Sequence, residues 1–479
     1  MRRSGNLVEA VPQAGITIEG LHELLRKHFK YGLRVRNDRQ TFIVTGQKFR
    51  TEPRYLCKRQ DNNNCSSVVF SAGLAFRATR LFSECGIDWK INDLRPLLLP
   101  PPNINNLQHD KLKDRADQLK CLALMFTSDM GIIESPTAWG KTFLIEQLVR
   151  AYSNSKIIVC TYRRDTVNSI YDRLKQHVPI RDLGRVGGGY RSPKRVTIST
   201  IDSLEYADPA KCRLFLYDEV HESASEERMR KIASVNESRM FGFSASPRGR
   251  TDGADLAIEA MFGPVIYKLL YQEAEAQGNV ATITVHVYRV PGVPINYDND
   301  VAQYRYGIWR NALRNRLIAQ IAAQHALADK QVLIIVDKVE HALNIKANFL
   351  PQWPLVHGPV HAEQLRTFSK MGLLPQGETW LCNTERRDNY RTLFEAGRMK
   401  YAIATGVWSQ GVDFRHLDVL IRADAKSAPI PSTQIPGRLA RGEAGLLVDF
   451  DDSFDERFSR RSKARFRAYS GKGWELVNM

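Results

Sequence analysis

The sequence predicts an α/β protein with two successive parallel-sheet domains that follow a small N-terminal α+β domain. Short apolar, β-branched runs alternate with helical patterns, stop near Gly278 and resume at Thr282. Continuous apolar strands that alternate with helices are typical of a parallel sheet covered on both faces. The third observation is the triplet Pro100-Pro101-Pro102, which separates the first apolar runs from the alternating pattern.

The proline triplet marks the first domain boundary, because consecutive prolines cannot continue a helix or a sheet ladder. We therefore expect a first domain over residues 1–99 and a Pro/Asn-rich linker over 100–110. Within the first domain, strand-like runs at 41–45 and 68–70 alternate with helical patterns at 21–29 and 74–82, which indicates α+β structure. The first 110 residues hold 17 Lys and Arg against 10 Asp and Glu. That charge suits a nucleic-acid contact surface or an ordinary soluble basic face.

The strands predicted for the two α/β domains are short, apolar and rich in β-branched residues. They lie at residues 131–134, 156–160, 195–199, 214–217, 240–243, 282–290, 331–336, 399–404, 419–421 and 445–448. We place the first α/β domain at 111–278, the second at 279–455, and a basic C-terminal tail at 456–479.

Composition restricts the function classes. With 69 Lys and Arg against 52 Asp and Glu, the net charge of +17 favours a polyanionic partner such as nucleic acid or an acidic membrane surface. The seven cysteines include no C-x-x-C pair, so we predict buried thiols in a reducing compartment and not a zinc site or a disulfide framework. No apolar run approaches bilayer-spanning length and no signal peptide is evident, so we expect a cytoplasmic protein without a membrane partner.

A phosphate-binding loop is predicted between a strand and a helix. Backbone N–H groups at the helix start would hold phosphate oxygens, Lys141 would offset charge on the β and γ phosphates, and Thr142 would offer its hydroxyl to Mg²⁺. The expected nucleotide-binding residues are Ser135, Pro136, Thr137, Ala138, Trp139, Gly140, Lys141 and Thr142.

A carboxylate pair follows a later apolar strand. Asp218 and Glu219 come directly after the run 214–217. Asp218 would bind Mg²⁺ directly or through water, and Glu219 would act as general base toward the attacking water. The alternative is an ordinary acidic strand end. Together the two motifs predict ATP and Mg²⁺ as cofactors, with Thr142 and Asp218 on the metal.

The order of these motifs resembles that of superfamily 2 helicases and translocases over about residues 111–450, which implies two RecA-like domains. By this resemblance Arg115 and Gln118 correspond to the element that recognises adenine. His221 completes an Asp-Glu-Val-His sequence, and Ser244-Ala245-Ser246 resembles the element that links hydrolysis to movement between domains. The alternative for Arg115 and Gln118 is a solvated helix face. The alternative for residues 244–246 is a simple turn.

The resemblance extends into the second α/β domain. Thr405 would touch the strand backbone, while Gly411 and Asp413 would face the nucleotide cleft. The stretch from Gln434 to Arg441 matches Q-x-x-G-R-x-x-R, which assigns Gln434, Arg438 and Arg441 to catalysis. The two arginines would stabilise transition-state charge, an effect worth roughly 10³ to 10⁵ in rate in well-studied phosphoryl-transfer enzymes.

Nucleic-acid contacts leave little sequence signature, because backbone binding uses common residues. The resemblance implies candidates that follow strands or occupy turns: Thr161, Tyr162, Arg163, Gly188, Gly189, Thr200, His357 and Thr405. The segment 457–472 interleaves seven basic residues with aromatic ones. Such a pattern suits strand binding by charge and stacking, or an amphipathic closing helix with a solvated basic face.

Within the superfamily the sequence is most similar to the group that contains UvsW, RecG and XPB-type helicases, partly through residues 71–74 and 86–96. This implies an ATP-dependent DNA helicase or translocase that acts on single-stranded, forked or branched DNA in recombination, repair or replication restart. A bacterial or phage-infected cytoplasm would be its location. The alternatives are an RNA helicase, the motor subunit of a restriction or defence complex, and a binding module with a decayed ATPase.

Overall fold

The structure is a computed structural model of the chain. It describes residues 7–12, 17–31, 54–62, 65–93, 99–235, 237–247, 254–297, 299–374, 381–408, 414, 416–427, 439 and 444–479. These form two compact units, one of residues 1–135 and 140–269 and one of 136–139 and 270–479. No helix within the described ranges is long and apolar enough to cross a bilayer.

The N-terminal module is an antiparallel sheet with two helices. Its strands are β1 Leu7–Pro12, β2 Lys30–Tyr31, β3 Arg54–Tyr55, β4 Cys57–Asn62, β5 Cys65–Ser71 and β6 Trp89–Asp93, and its helices are α1 Ile18–His28 and α2 Ala75–Glu84. Four strands form one sheet in the order β4-β5-β1-β6, and β2 pairs with β3. The predicted α+β class is confirmed, while the predicted strand at 41–45 lies outside the described residues.

The N-terminal module packs on a helix of the first α/β domain, α8 Asp255–Phe262. A Cβ on Gly73 would lie 2.2 Å from the carbonyl oxygen of Glu259, so only glycine permits this approach. Arg77 donates two hydrogen bonds to the Glu259 carboxylate, at 2.9 and 2.7 Å, and Ser71 Oγ donates to the Ala260 carbonyl. These contacts explain why the module belongs to the first compact unit.

The first α/β domain has an eight-stranded sheet. Its strands are β7 Met130–Glu134, β8 Ile157–Thr161, β9 Leu183–Gly187, β10 Tyr190–Ser192, β11 Val196–Thr200, β12 Leu214–Asp218, β13 Arg239–Ser244 and β14 Val265–Lys268. Its other helices are α3 His109–Leu112, α4 Ala116–Thr127, α5 Lys141–Ala151, α6 Arg164–Leu174 and α7 Glu226–Ile232. Short 3-10 helices in this unit span Ala72–Leu74, Ile104–Asn106, Ile201–Ala207, Pro209–Lys211 and Val220–Ser223.

The strand order of that sheet is β10-β9-β11-β8-β12-β13-β7-β14. Every neighbouring pair is parallel except the hairpin β9–β10. The order places the carboxyl ends of β12, β13 and β7 side by side, and ligands of open α/β sheets bind outside such ends. The residues that follow these three strands are therefore brought together.

Part of the predicted linker is packed on α5. The Asn103 amide donates to the Ala151 carbonyl at 2.9 Å, and the Gln108 amide donates to Gln147 Oε1 at 2.9 Å. The stretch before α3 is thus attached to the helix that follows the predicted phosphate loop.

The second unit contains a seven-stranded, fully parallel sheet in the order β17-β18-β16-β19-β20-β15-β21. Its strands are β15 Thr282–Arg289, β16 Val332–Ile335, β17 Leu355–Val356, β18 Tyr401–Ala404, β19 Val419–Arg422, β20 Ala444–Asp451 and β21 Glu475–Asn478. Its helices are α9 Tyr271–Ala276, α10 Asp300–Tyr304, α11 Ala312–Leu327, α12 Val339–Asn348, α13 Ala362–Lys370, α14 Thr384–Glu395 and α15 Glu456–Ser470. A π-helical turn spans Arg305–Trp309 and a 3-10 turn spans Gly406–Trp408.

Local sequence explains the main helix starts in this unit. Asn311, Asn383 and Asp455 precede α11, α14 and α15, and each side chain accepts a hydrogen bond from a backbone amide of the first turn. The core strands β16, β18 and β19 are buried almost throughout, and they are apolar except for Arg422 at the end of β19. Two parallel sheets thus confirm the predicted pair of α/β domains.

The cysteines are mostly buried thiols, as predicted. Cys57, Cys121, Cys160, Cys212 and Cys382 are free and buried. Cys85, at the end of α2, is exposed and is the exception among the described cysteines.

Candidate functional site

The predicted phosphate loop joins β7 to α5. Ala138 and Gly140 have φ values of 73° and 111°, and the Trp139 amide donates to the Pro136 carbonyl at 3.4 Å. Lys141 is the first residue of α5 and Thr142 the second. A left-handed loop that leads into a helix start directs backbone N–H groups at one point, which favours an anion there.

Three buried polar atoms around this loop have no hydrogen-bond partner among the described residues: Ser135 Oγ, Lys141 Nζ and Glu219 Oε2. A buried polar atom left without a partner costs about 1–3 kcal/mol, and more when it is charged. The Lys141 ammonium lies 3.9 Å from Glu219 Oε1, which is longer than a hydrogen bond. The site therefore fits an anionic group that would satisfy the lysine.

The predicted carboxylate pair lies at the end of β12. Asp218 is the last residue of the strand and is paired with Phe243, while Ser244 on the next strand is paired with Glu134. Glu219 adopts a left-handed backbone with φ of 57°, a conformation that non-glycine residues seldom hold unless the surroundings impose it. The turn directs the Glu219 carboxylate toward Lys141.

Burial and the neighbouring charge of Glu219 raise the pKa of Asp218 to about 7, although Lys141 acts in the opposite direction. Two neighbouring carboxylates favour a cation between them. The carboxylates of Asp218 and Glu219, with the hydroxyl of Thr142 next to Lys141 in the chain, are the oxygen ligands that Mg²⁺ prefers. The residues present therefore fit the predicted metal.

This pKa leads to a prediction about pH and stability. The folded protein holds the Asp218 proton more tightly than the unfolded chain, so ligand-free wild type should lose stability as pH rises from about 4 to about 7 relative to Asp218→Asn. At pH 8 we expect Asp218→Asn to melt a few °C higher, since ~1 kcal/mol corresponds to roughly 2–4 °C in a domain of this size. Thermal melts of both proteins across this pH range test it, and parallel curves would contradict it.

His221 connects the carboxylate pair to the residues after β13. Its Nδ1 lies 3.0 Å from Ser244 Oγ and 3.4 Å from Glu219 Oε2. The Ser246 amide donates to Ser244 Oγ at 3.1 Å, and the Ser135 amide donates to the Ser244 carbonyl at 3.1 Å. Ala245 is buried between the two serines. The structure thus assembles His221 and residues 244–246 beside the phosphate loop.

Arg115 and Gln118 lie beside the same loop. Arg115 Nη1 donates to Gln118 Oε1 at 3.2 Å, and the guanidinium lies 5.1 Å from the ring centre of Phe143. A Cβ on Gly140 would lie 2.6 Å from Gln118 Nε2, so glycine permits this close approach. The two residues predicted to recognise adenine are therefore adjacent to the predicted phosphate site.

The nucleic-acid candidates of the first domain lie at the carboxyl ends of the neighbouring strands β9, β11 and β8. Thr161 and Thr200 end the neighbouring strands β8 and β11 and are paired. Gly188 and Gly189 form the turn of the hairpin β9–β10 with φ of 64° and 93°. Tyr162 and Arg163 follow β8, and the Arg228 guanidinium lies 3.9 Å from the Tyr162 ring centre.

In the second unit, His357 and Thr405 follow the paired strands β17 and β18. The His357 ring is buried, with Nδ1 2.6 Å from the Gly358 carbonyl oxygen and Nε2 accepting from the Cys382 amide at 3.1 Å. Both ring nitrogens are thus engaged within the unit. Gly411, Asp413, Gln434, Arg438 and Arg441 lie outside the described residues.

The basic segment 457–472 forms most of α15, the closing helix that was its alternative interpretation. Arg465 and Tyr469 on this helix are completely buried. Arg465 donates to both oxygens of Asp449, at 2.9 and 3.0 Å, and the Tyr469 hydroxyl donates to Asp449 Oδ2 at 2.6 Å. These two side chains are used inside the fold and cannot bind a strand.

The same helix covers a buried ionic network that the sequence did not predict. Arg314 donates to Asp452 at 2.8 Å, and Arg422 donates to Asp424 at 2.8 Å and to the Tyr469 hydroxyl at 2.8 Å. Burial alone would raise the pKa of Asp449, but the charges of Arg465 and Arg422 hold it below its usual range. Asp424 follows β19, while Asp449 and Asp452 lie near and just after the end of β20. An acidic residue at the end of an apolar strand is a pattern from which the sequence could have predicted them.

The chain is similar to known proteins in part of its sequence and in its fold. Residues 102–249 match the family described as type III restriction enzyme, res subunit. The solved structure of S. cerevisiae Dbp5 bound to RNA and ADP BeF3 is similar to 80% of this chain and 94% of its own, with 13% identity and a TM-score of 0.54. The DUF1998 helicase MrfA bound to DNA is similar over 74% of this chain and 48% of its own, with 12% identity and a TM-score of 0.50.

T4 UvsW aligns with 97% of this chain and 96% of its own, with 17% identity and a TM-score of 0.38. No curated protein matches the chain by sequence.

Proposed function

The chain has the fold of superfamily 2 helicases, and from that premise we propose that it is an ATP-driven motor on nucleic acid. One observation carries the proposal: the buried Lys141 ammonium has no hydrogen-bond partner among the described residues and faces the Asp218-Glu219 pair. A structural lysine would normally be paired at such a depth. A nucleoside triphosphate would supply the missing negative charge.

Each residue of the site has a role in this proposal. Lys141 binds the β and γ phosphates, Arg115 and Gln118 bind the base, and Glu219 accepts the proton of the attacking water. Mg²⁺ held by Thr142 and Asp218 would neutralise phosphate charge. Protonation of Glu219 changes the charge beside His221. Because His221 contacts Ser244 and Ser244 contacts Ser246, this change of charge would reach the residues after β13.

Arg438 and Arg441, with Gln434, Gly411 and Asp413, are proposed to complete the site from the second α/β domain. If both domains supply catalytic groups, hydrolysis needs a closed arrangement and opening follows it. Repeated closing and opening would move the motor along a strand by an inchworm mechanism.

We propose DNA as the substrate, in single-stranded, forked or branched form, with a role in recombination, repair or replication restart and a cytoplasmic location. The net charge of +17 supports a polyanion and does not separate DNA from RNA. An RNA helicase is therefore the alternative. A motor subunit of a restriction complex is a second candidate, which the family match of residues 102–249 favours.

The test is ATP hydrolysis and strand displacement on single-stranded, duplex, forked and four-way DNA and on matching RNA, with Lys141→Ala as the negative control. We expect DNA to stimulate hydrolysis and Lys141→Ala to abolish it. Stimulation by RNA alone would establish the RNA alternative. If neither nucleic acid changed the rate, or if Lys141→Ala kept full activity, the motor proposal would fail.

A further inference from the structure

The hairpin β9–β10 projects from the edge of the first α/β sheet. Tyr190 is paired with Gly187, so Gly188 and Gly189 form a two-residue turn. Both have positive φ, as the tight hairpin turn requires, which explains two of the three consecutive glycines. The three residues of β10 are all exposed. The hairpin therefore presents side chains to solvent on both faces.

One face carries a stack of two tyrosines and an arginine. The Arg185 guanidinium lies 4.1 Å from the ring centre of Tyr171 and 3.8 Å from that of Tyr190. Its Nη1 also donates to Asn168 Oδ1 at 3.1 Å, which fixes the plane of the guanidinium. About half of the Tyr190 side chain, 49%, remains exposed. Arg185 thus holds an aromatic ring in place while much of that ring is open.

The other face carries a second pair. The Arg191 guanidinium lies 4.0 Å from the ring centre of Tyr206, which belongs to the 3-10 helix after β11. The Tyr206 side chain is 42% exposed. Aromatic rings and guanidinium planes therefore occur on both sides of the same short hairpin.

The two arginines of the hairpin itself take part in stacking and in no ion pair. Among the side chains that the structure describes, no carboxylate lies within ion-pair distance of Arg185 or Arg191. The Arg164 side chain lies against the turn, with Cδ 3.6 Å from the position that a Cβ on Gly188 would take. Unpaired guanidinium groups beside exposed tyrosines are suited to phosphates and nucleobases together.

We propose that this hairpin binds single-stranded nucleic acid, with an unpaired base stacked on Tyr190 and with Arg185 and Arg191 contacting phosphates. The inference rests on the proposed motor function and adds a specific contact to it. A duplex would offer its phosphates but keep its bases stacked inside, so the open ring needs an unpaired base. The turn of the hairpin lies at the carboxyl end of the sheet, where Thr161 and Thr200 end the strands β8 and β11.

The experiment compares Tyr190→Ala with wild type in binding fluorescent single-stranded DNA and RNA of equal length, and DNA in which the central nucleotides lack bases. Loss of one stacked base should weaken binding of the intact strands by about 5- to 100-fold. Binding of the abasic strand should be equal for the two proteins. Tyr190→Phe should retain wild-type affinity, since it keeps the ring.

Ile180→Ala is the matched control, because Ile180 is an exposed large side chain of the same unit and stacks on no arginine. Equal loss of Tyr190→Ala on intact and abasic strands, or no loss on either, would overturn the stacking proposal while leaving the motor proposal standing. Absence of strand binding and of stimulated hydrolysis in wild type would remove both.

Discussion

Replacing Glu219 with glutamine should reduce ATP hydrolysis by roughly 10²- to 10⁴-fold, the contribution expected of a general base. Glutamine has the same shape but cannot take a proton from water. ATP binding should persist, because Lys141 and Thr142 are unchanged. Phosphate release at saturating nucleic acid and binding of a fluorescent ATP analogue measure the two effects separately.

Glu222→Gln is the matched control, since this carboxylate belongs to the 3-10 helix just after Glu219 and lies 3.7 Å from His221 Nε2. It should keep most of the hydrolytic activity. The Glu219 charge also helps to raise the pKa of Asp218, so Glu219→Gln should bind Mg²⁺ at a lower pH than wild type. Hydrolysis by Glu219→Gln at the wild-type rate would place the base elsewhere.

Arg465→Ala should destabilise the second unit by about 3–5 kcal/mol, because it removes the guanidinium that donates to both oxygens of the buried Asp449 carboxylate. This corresponds to a melting temperature lower by on the order of 10 °C. In wild type the pKa of Asp449 lies below its usual range, so its stabilising effect is lost only at strongly acid pH. Thermal melting and hydrogen exchange of β20 measure the loss.

Arg467→Ala provides the comparison, since Arg467 is exposed on the same helix and should change stability by no more than about 0.5 kcal/mol. Arg465→Lys keeps the charge but not the fork that reaches both oxygens of Asp449, so an intermediate loss is expected. If Arg465→Ala melted like Arg467→Ala, the network would have no role in stability.

The central strands were predictable because they are buried on both faces. The predicted runs at 214–217, 240–243 and 419–421 fall within β12, β13 and β19. Such strands need apolar side chains at every position, and that leaves a continuous signal in the sequence. Their ends differ by one or two residues, since the polar residue that closes a strand carries no apolar signal.

The edge strands were not predictable for the same reason. β10 is fully exposed, β17 has two residues, and β21 has exposed ends on either side of two half-buried residues. An edge strand has one neighbour and does not need a continuous apolar run. The hairpin of the proposed strand-binding surface therefore appeared only as three consecutive glycines.

At the candidate site, the residues of contiguous motifs could be predicted because the loop and the strand end that carry them are local. The ionic network could not, because it joins Arg314, Arg422 and Arg465 to carboxylates that lie up to 138 residues away in the chain. A cluster of basic residues in sequence suggests exposure, and only the tertiary structure shows that Arg465 is neutralised inside.

The left-handed backbone at Ala138 and Glu219 has a consequence for engineering. Glycine would hold either conformation without strain, and a neutral residue at Asp218 would relieve the crowded charges. Selection for thermal stability alone should therefore favour substitutions at Ala138, Asp218 and Glu219. The resulting proteins should melt at higher temperature and have lost ATP hydrolysis. A useful thermostable version would keep these three residues fixed and take its substitutions from the exposed faces of the helices.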